Sequence, residues 1–154
     1  MPNTYTNLLF HIVYSTKYRK PLIQPSWQDE LYGYMGGIIR AEKGVLLVAG
    51  GIEDHVHLLA KLPPTIAVSD MLRLIKANSS KWANERSDVS YFEWQAGYGA
   101  FSVSESNVPS VRKYIDSQDA HHRKQSFRDE YLALLRRHNI EFDERYVFEE
   151  EHIN

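Results

Sequence analysis

Residues 45 to 62 constrain the fold of this chain more than any other stretch. Val45 to Ala49 is a continuous apolar run. Gly50-Gly51 and Glu53-Asp54 supply turn chemistry, and 55 to 62 returns as a second apolar run stopped by Pro63-Pro64, the pattern of a β-hairpin. The returning strand reads Glu53-Asp54-His55-Val56-His57-Leu58-Leu59 at its start. Side chains alternate across a strand, so His55 and His57 share one face while Val56 and Leu58 share the other. The rise per residue sets the two histidines roughly 6.6 Å apart at the backbone, near enough for both rings to converge on one metal ion.

The flanking segments predict what surrounds this hairpin. Residues 4 to 16 read as a strand in which Leu8, Phe10, Ile12 and Tyr14 alternate with Leu9, His11, Val13 and Ser15. Both faces are largely apolar, so the strand belongs at the centre of a sheet, and His11 reads as a core histidine. Ser26 is expected to cap a helix to about Lys43, with Trp27, Leu31, Tyr34 and Ile38 as its buried stripe and Gly44 as its stop. Ser69 is expected to cap a second helix to about Arg86, burying Leu72, Ile75 and Trp82. Gly97-Tyr98-Gly99 lacks the Gly-Lys-Ser/Thr ending of a phosphate loop and reads as a bend into a strand from Ala100 to Ser104. Strand, helix, strand, strand, helix, strand is the ferredoxin-like βαββαβ order, an α+β fold with an antiparallel sheet and both helices on one face.

Two further helices follow that this fold does not require. One opens at Asn107-Val108-Pro109, with Pro109 in its first turn, and runs to about His122. Val111 and Ile115 form its buried stripe, and Tyr114, Gln118 and His121 a second stripe. Ser126-x-x-Asp129 resembles a capping box for the other, which ends near His138-Asn139. No linker divides the chain. The expectation is one domain over 1–154: a core at about 4–104, a tyrosine-bearing helix at about 108–122, and a C-terminal helix with an acidic tail at 126–154.

The absence of cysteine excludes disulfides and thiolate zinc sites and fits a reducing cytoplasm. No apolar run approaches membrane-spanning length, and the N-terminus lacks a signal-peptide pattern. The net charge of −2 conceals an asymmetry: the last 14 residues carry −5, leaving the rest at +3. Many of the bases fall in clusters: Lys17, Arg19 and Lys20; Arg73, Lys76, Lys81 and Arg86; Arg112, Lys113, Arg123 and Lys124. Such clusters are read either as solvated helix faces or as a nucleic-acid footprint, and the neighbouring Tyr18 and Tyr114 favour a single-stranded ligand.

Tyr114 and Gln118, four residues apart on a helix, project side by side. One can supply a nucleophile while the other supplies a ligand to the ion held by His55 and His57. Two imidazoles and an amide oxygen are neutral ligands. They leave a divalent ion its full charge for phosphate oxygens, which suits Mg²⁺ or Mn²⁺ as the cofactor.

His55-Val56-His57 followed by Tyr114-x-x-x-Gln118 resembles the single-tyrosine HUH transposases of small bacterial insertion sequences, the TnpA-like group numbered two-hundred/six-hundred-five. The resemblance extends to Phe10-His11-Ile12-Val13-Tyr14-Ser15-Thr16-Lys17, to Gly97-Tyr98-Gly99-Ala100-Phe101-Ser102-Val103, and to the residues from Tyr114 to His122. It implies a cytoplasmic homodimer of ferredoxin-like fold, nucleoid-associated when bound to DNA, that binds subterminal DNA hairpins and cuts single-stranded DNA. In that scheme Tyr114 attacks the scissile phosphate, forming a 5′-phosphotyrosine bond and releasing a 3′-OH. A second 3′-OH later resolves the bond. His55, His57 and Gln118 would be the metal ligands, and the tyrosine helix often comes from the partner subunit. His121 is a candidate accessory base. Lys17, Arg19, Lys20, Arg73, Lys76, Arg112, Lys113, Arg123 and Lys124 are candidate DNA contacts. Two other readings stay open: a rolling-circle type nickase, and a domesticated hairpin-binding module that makes no covalent bond.

Overall fold

A computed structural model describes residues 3–122 and 125–148. Its strands are β1 (Leu8–Ser15), β2 (Val45–Ile52), β3 (His55–Leu62) and β4 (Gly99–Val103). They form one antiparallel sheet in the order β2-β3-β1-β4, which is the ferredoxin-like arrangement. Helices α1 (Gln28–Ala41) and α2 (Val68–Asn84) complete the βαββαβ unit. The additions are α3 (Val108–Asp116), α4 (Gln118–His122) and α5 (Phe127–Arg137).

The period-2 pattern of the central strands divides the protein into two cores. Ile12, Tyr14, Val56, Leu58 and Ala60 point to one side and bury against Leu31, Met35 and Ile39 of α1 and Met71, Leu72 and Ile75 of α2. Each of the valine, leucine, isoleucine and methionine side chains contributes about 1.5–3 kcal/mol by leaving water. On the other side Val13 and Phe101 pack beneath Phe127, Tyr131, Leu132, Leu134 and Leu135 of α5, closed by Phe148.

Several boundaries differ from the sequence reading. β1 starts at Leu8 rather than residue 4. Gly50 and Gly51 lie inside β2, and the hairpin turn is Glu53-Asp54 alone. Both glycines are needed there for closeness rather than for turning. A Cβ at Gly50 would collide with the backbone oxygen of Ile115, and one at Gly51, where φ is 152°, with the oxygen of His55. Ser26 does not cap α1: Trp27 occupies the cap position without a side-chain bond, because its buried indole packs edge-on against Trp82 and Phe92 and so sets where the helix begins. Nor does Ser69 cap α2, which begins two residues earlier, at Val68 after Ala67. The buried line of α1 runs through Leu31, Met35 and Ile39, while Tyr34 and Ile38 are half-buried at its flank, Tyr34 stacking on Trp82. On α5 the expected cap is present: Ser126 Oγ accepts from the backbone N–H of Asp129 at 3.2 Å.

The third helix is not continuous. It ends at Asp116, and Ser117 (φ −103°, ψ 24°) separates α3 from α4. The Ser117 hydroxyl donates to the carbonyl of Lys113 at 2.9 Å, a local bond of the kind that competes with a continuing helix. Tyr114 and Gln118 therefore do not project from one rigid helix, as the spacing had suggested.

Candidate active site

β3 delivers His55 and His57 to the sheet face opposite α1 and α2, and both are fully buried. The hairpin turn sets Asp54 at its edge, with Asp54 Oδ1 2.8 Å from His55 Nδ1. A carboxylate only accepts, so His55 donates from Nδ1 and turns the lone pair of Nε2 inward. His57 is held from the other side, its Nδ1 lying 2.8 Å from Nε2 of His11 on β1. His11 is buried as expected, but it is more than core filling. Burial first, and the neighbouring His57 second, push its imidazole down to about 3. It stays neutral near pH 7, with one nitrogen donating and the other accepting.

The inward atoms of the two histidines meet side chains from α4 and α5. His55 Nε2 is 2.8 Å from Gln118 Oε1 and 3.5 Å from Glu130 Oε1. His57 Nε2 is 3.1 Å from the same Glu130 oxygen. Gln118 donates through Nε2 to Glu130 Oε2 at 3.0 Å, and the Tyr114 hydroxyl donates to that oxygen as well. His55, His57, Gln118 and Glu130 are each at most 2% exposed. Tyr114, Gln118, His55 and His57 thus come together within one chain.

The donor set fits a divalent cation. With the His55 proton on Nδ1, three lone-pair atoms face one another: His55 Nε2, Gln118 Oε1 and Glu130 Oε1. The candidate ligand atoms of His55, His57 and Glu130 all lie within 4.8 Å of one another, so this group could hold a metal ion. Mixed imidazole and carboxylate ligation is ordinary for first-row divalent ions.

Helical spacing and the cap at Ser126 do not single out Glu130 as a site residue. A signal existed. Phe127, Tyr131, Leu134 and Leu135 form the apolar stripe of α5, and Glu130 falls inside that stripe, where a carboxylate is stable only with partners.

The position of Tyr114 depends on Gly50. α3 lies against β2, with Ile115 seated over Gly50 so closely that no side chain fits between them. Burial first, and acceptance by Glu130 second, hold the Tyr114 phenol above its usual range, whereas Gln118 and Arg137 act in the opposite direction. Near neutral pH it is a phenol whose hydrogen points at Glu130.

The remaining candidates are dispersed. Lys17, Arg19 and Lys20 follow β1 in a short turn, with both lysine ammoniums near the ring of Tyr18 and Arg19 over Phe148. Arg73 and Lys76 lie on α2, across the sheet from the histidines. Arg73 pairs with Asp70, and Lys76 donates to the carbonyls of Ala96 and Gly97. Arg112 donates to the carbonyl of Leu47, and Lys113 is exposed beside it on α3. Arg123, Lys124 and the side chain of His121 lie outside the described residues. Among the described residues no helix is long and apolar enough to cross a membrane.

Comparison with known proteins identifies the family. The family model described as "Transposase IS200 like" matches residues 4–118. The ISDra2 transposase TnpA of Deinococcus radiodurans is 28% identical over 122 residues, covering 72% of this chain and 84% of that protein. The transposase for insertion sequence element IS200 of Salmonella typhimurium is 29% identical over 128 residues, covering 77% and 81%. In fold, the chain is similar to a REP-associated tyrosine transposase solved bound to a REP hairpin, with a TM-score of 0.60, 14% identity, and coverage of 79% of this chain and 73% of that one.

Proposed function

Because the chain belongs to the IS200-like transposases, and so to a family of DNA-processing enzymes, we propose that it cleaves and transfers single-stranded DNA through a 5′-phosphotyrosine intermediate on Tyr114. One observation carries the reading: the Tyr114 hydroxyl and the Gln118 amide share Glu130 with His57 in a single buried cluster.

His55, His57 and Gln118, with Glu130 added, are the residues that would hold Mg²⁺ or Mn²⁺, and the bound ion supplies Lewis-acid polarisation of the scissile phosphate. The chain's own groups do the rest. Asp54 and His11 orient the two imidazoles from behind. Glu130 Oε2 holds the hydrogen of the Tyr114 phenol and lies where that proton goes as the oxygen attacks. A Tyr114 Oη–P bond forms and the P–O3′ bond breaks. The electron pair leaves with O3′, which is protonated to a free 3′-OH. Attack by another strand's 3′-OH reverses the exchange and restores the phenol. The phosphodiester energy is conserved in the tyrosine link, in keeping with the missing phosphate loop.

Hairpin DNA is the proposed ligand, with the basic residues of the 17–20 turn, α2 and α3 as backbone contacts whose affinity falls with salt. The proposed homodimer would hold two cut ends together rather than complete a site. The test is an adduct assay. Single-stranded oligonucleotides tiling the DNA that flanks the gene, incubated with Mg²⁺ or Mn²⁺, should yield an SDS-resistant protein–DNA species. Tyr114→Phe should abolish it while hairpin binding persists. An adduct that survives the substitution would remove Tyr114 from the role.

A further inference from the structure

Two cavities reach the buried cluster, and their linings differ in charge. One, of about 170 Å³, touches Gln118 and carries Asp116 and Asp119. The other, of about 320 Å³, lies between α3, α5 and the β1–β4 side of the sheet. It is lined by Tyr114 and His11 together with Asn107, Ser110, Arg137 and His138, and among the described residues no carboxylate lines it. A phosphodiester is repelled by the first lining and admitted by the second.

Arg137 gives the second cavity its chemistry. Glu130, Leu134 and Arg137 fall at i, i+4 and i+7 on α5, so one stripe presents a carboxylate to the cluster and, roughly 10 Å further along the axis, a guanidinium to the cavity. The neighbouring Arg136 is engaged with Glu144 at 2.7 Å, and Arg145 with Asp143 at 2.8 Å. Arg137 makes no hydrogen bond or ion pair with the described residues. A planar guanidinium fork matches phosphate oxygens. The rest of the lining is polar and apolar side chains that suit a nucleoside. Asn107 and Ser110 offer donors and acceptors. His138 donates through Nδ1 to the carbonyl of Leu134 at 2.9 Å, and its ring stacks on Phe101 at 4.2 Å between centroids.

We propose that this cavity seats the nucleotide adjoining the scissile phosphate, with its own phosphate on Arg137 and its sugar and base against Asn107, Ser110 and His138. The strand then enters past Tyr114 from the α5 side, away from Asp116 and Asp119. Arg137 is a binding and positioning residue in this scheme. The inference rests on the proposed reaction for its meaning, but its test does not use that reaction.

The full chain, kept metal-free with EDTA, is titrated with thymidine 5′-monophosphate while the histidine ring ¹⁵N signals are followed. The His138 and His11 signals should shift together and saturably. Arg137→Gln, an exposed change at a helix end, should weaken binding about tenfold or more, as loss of a charge-assisted bond does, and Arg137→Lys should recover part of it. Unmoved His138 and His11 signals, or equal affinity in Arg137→Gln, would overturn the proposal. Equal affinity for inorganic phosphate would reduce the cavity to an anion contact and overturn it too. Nucleotide binding without any Tyr114 adduct in the earlier assay would sink the reaction and leave the seat standing. An adduct without nucleotide binding would do the reverse.

Discussion

The two faces of the sheet are built from the same strands and obey opposite rules. On the α1/α2 face, Ile12, Tyr14, Val56 and Leu58 meet helices whose contribution is almost wholly apolar, and stability grows with the area removed from water. On the α5 face, the residues one step along the same strands (His11, His55 and His57) meet Gln118 and Glu130. Burial there is tolerable because Asp54, His11 and Glu130 give the imidazoles and the Gln118 amide hydrogen-bond partners, and the lone pairs left facing one another suit a cation. One face can lose a methylene and keep its chemistry. The other can keep its volume and lose its function when a single donor becomes an acceptor. Adjacent residues such as His57 and Leu58 should therefore respond to substitution in different observables.

The largest expected effect is on the apolar face. Leu58→Ala should cost about 2–5 kcal/mol of stability in urea unfolding, as buried leucine truncations do, while the metal affinity of the folded fraction stays within error. Coupled losses would mean that the two faces are not separable. Next, Gly50→Ala places a Cβ against the Ile115 backbone and must displace α3. Adduct formation should fall on the order of 100-fold, since misplacing a reacting group by about 1 Å has that effect, with far-UV circular dichroism unchanged.

His11→Gln should weaken Mn²⁺ binding, followed by calorimetry, by about 10–100-fold through loss of the group behind His57. It should also change the acid limb of stability. The His11 folded pKa of about 3 lies below its usual 6.5. The unfolded chain therefore binds the extra proton first, and this contribution, complete above 6.5, is lost as pH falls toward 3. Urea unfolding in EDTA at pH 7.5 and pH 5 should show a smaller drop in the variant than in the parent. An equal drop would assign the acid sensitivity elsewhere. The smallest effect is Ser126→Ala, which removes the α5 cap and should cost about 1 kcal/mol. Because α5 carries Glu130, a cost confined to the thermal midpoint, with unchanged metal affinity, would show that fraying at the cap does not reach the cluster.

The elements most legible in the sequence were those with strong periodicity. The histidines of β3, the order of strands and the two core helices followed from side-chain alternation and spacing, which are properties of neighbours along the chain. The errors fell where two local signals competed. Gly50-Gly51 looked like a turn because glycine usually marks one, but these glycines serve the approach of Ile115 and His55 from other segments. The helix from 108 to 122 looked continuous because nothing in its spacing revealed that the Ser117 hydroxyl would bond the chain behind it.

What the chain determined by itself was therefore the identity and face of His55 and His57, the α+β class and the single capped helix at 126. Tertiary structure alone decided that Glu130, 73 residues beyond His57, would join them, that His11 would stand behind His57, and that Tyr114 and Gln118 would meet through a shared carboxylate rather than along one helix. The reason is physical. Alternation and helical spacing specify which way a side chain points, whereas a buried polar cluster exists only once distant elements have excluded water and left each other as the sole available partners.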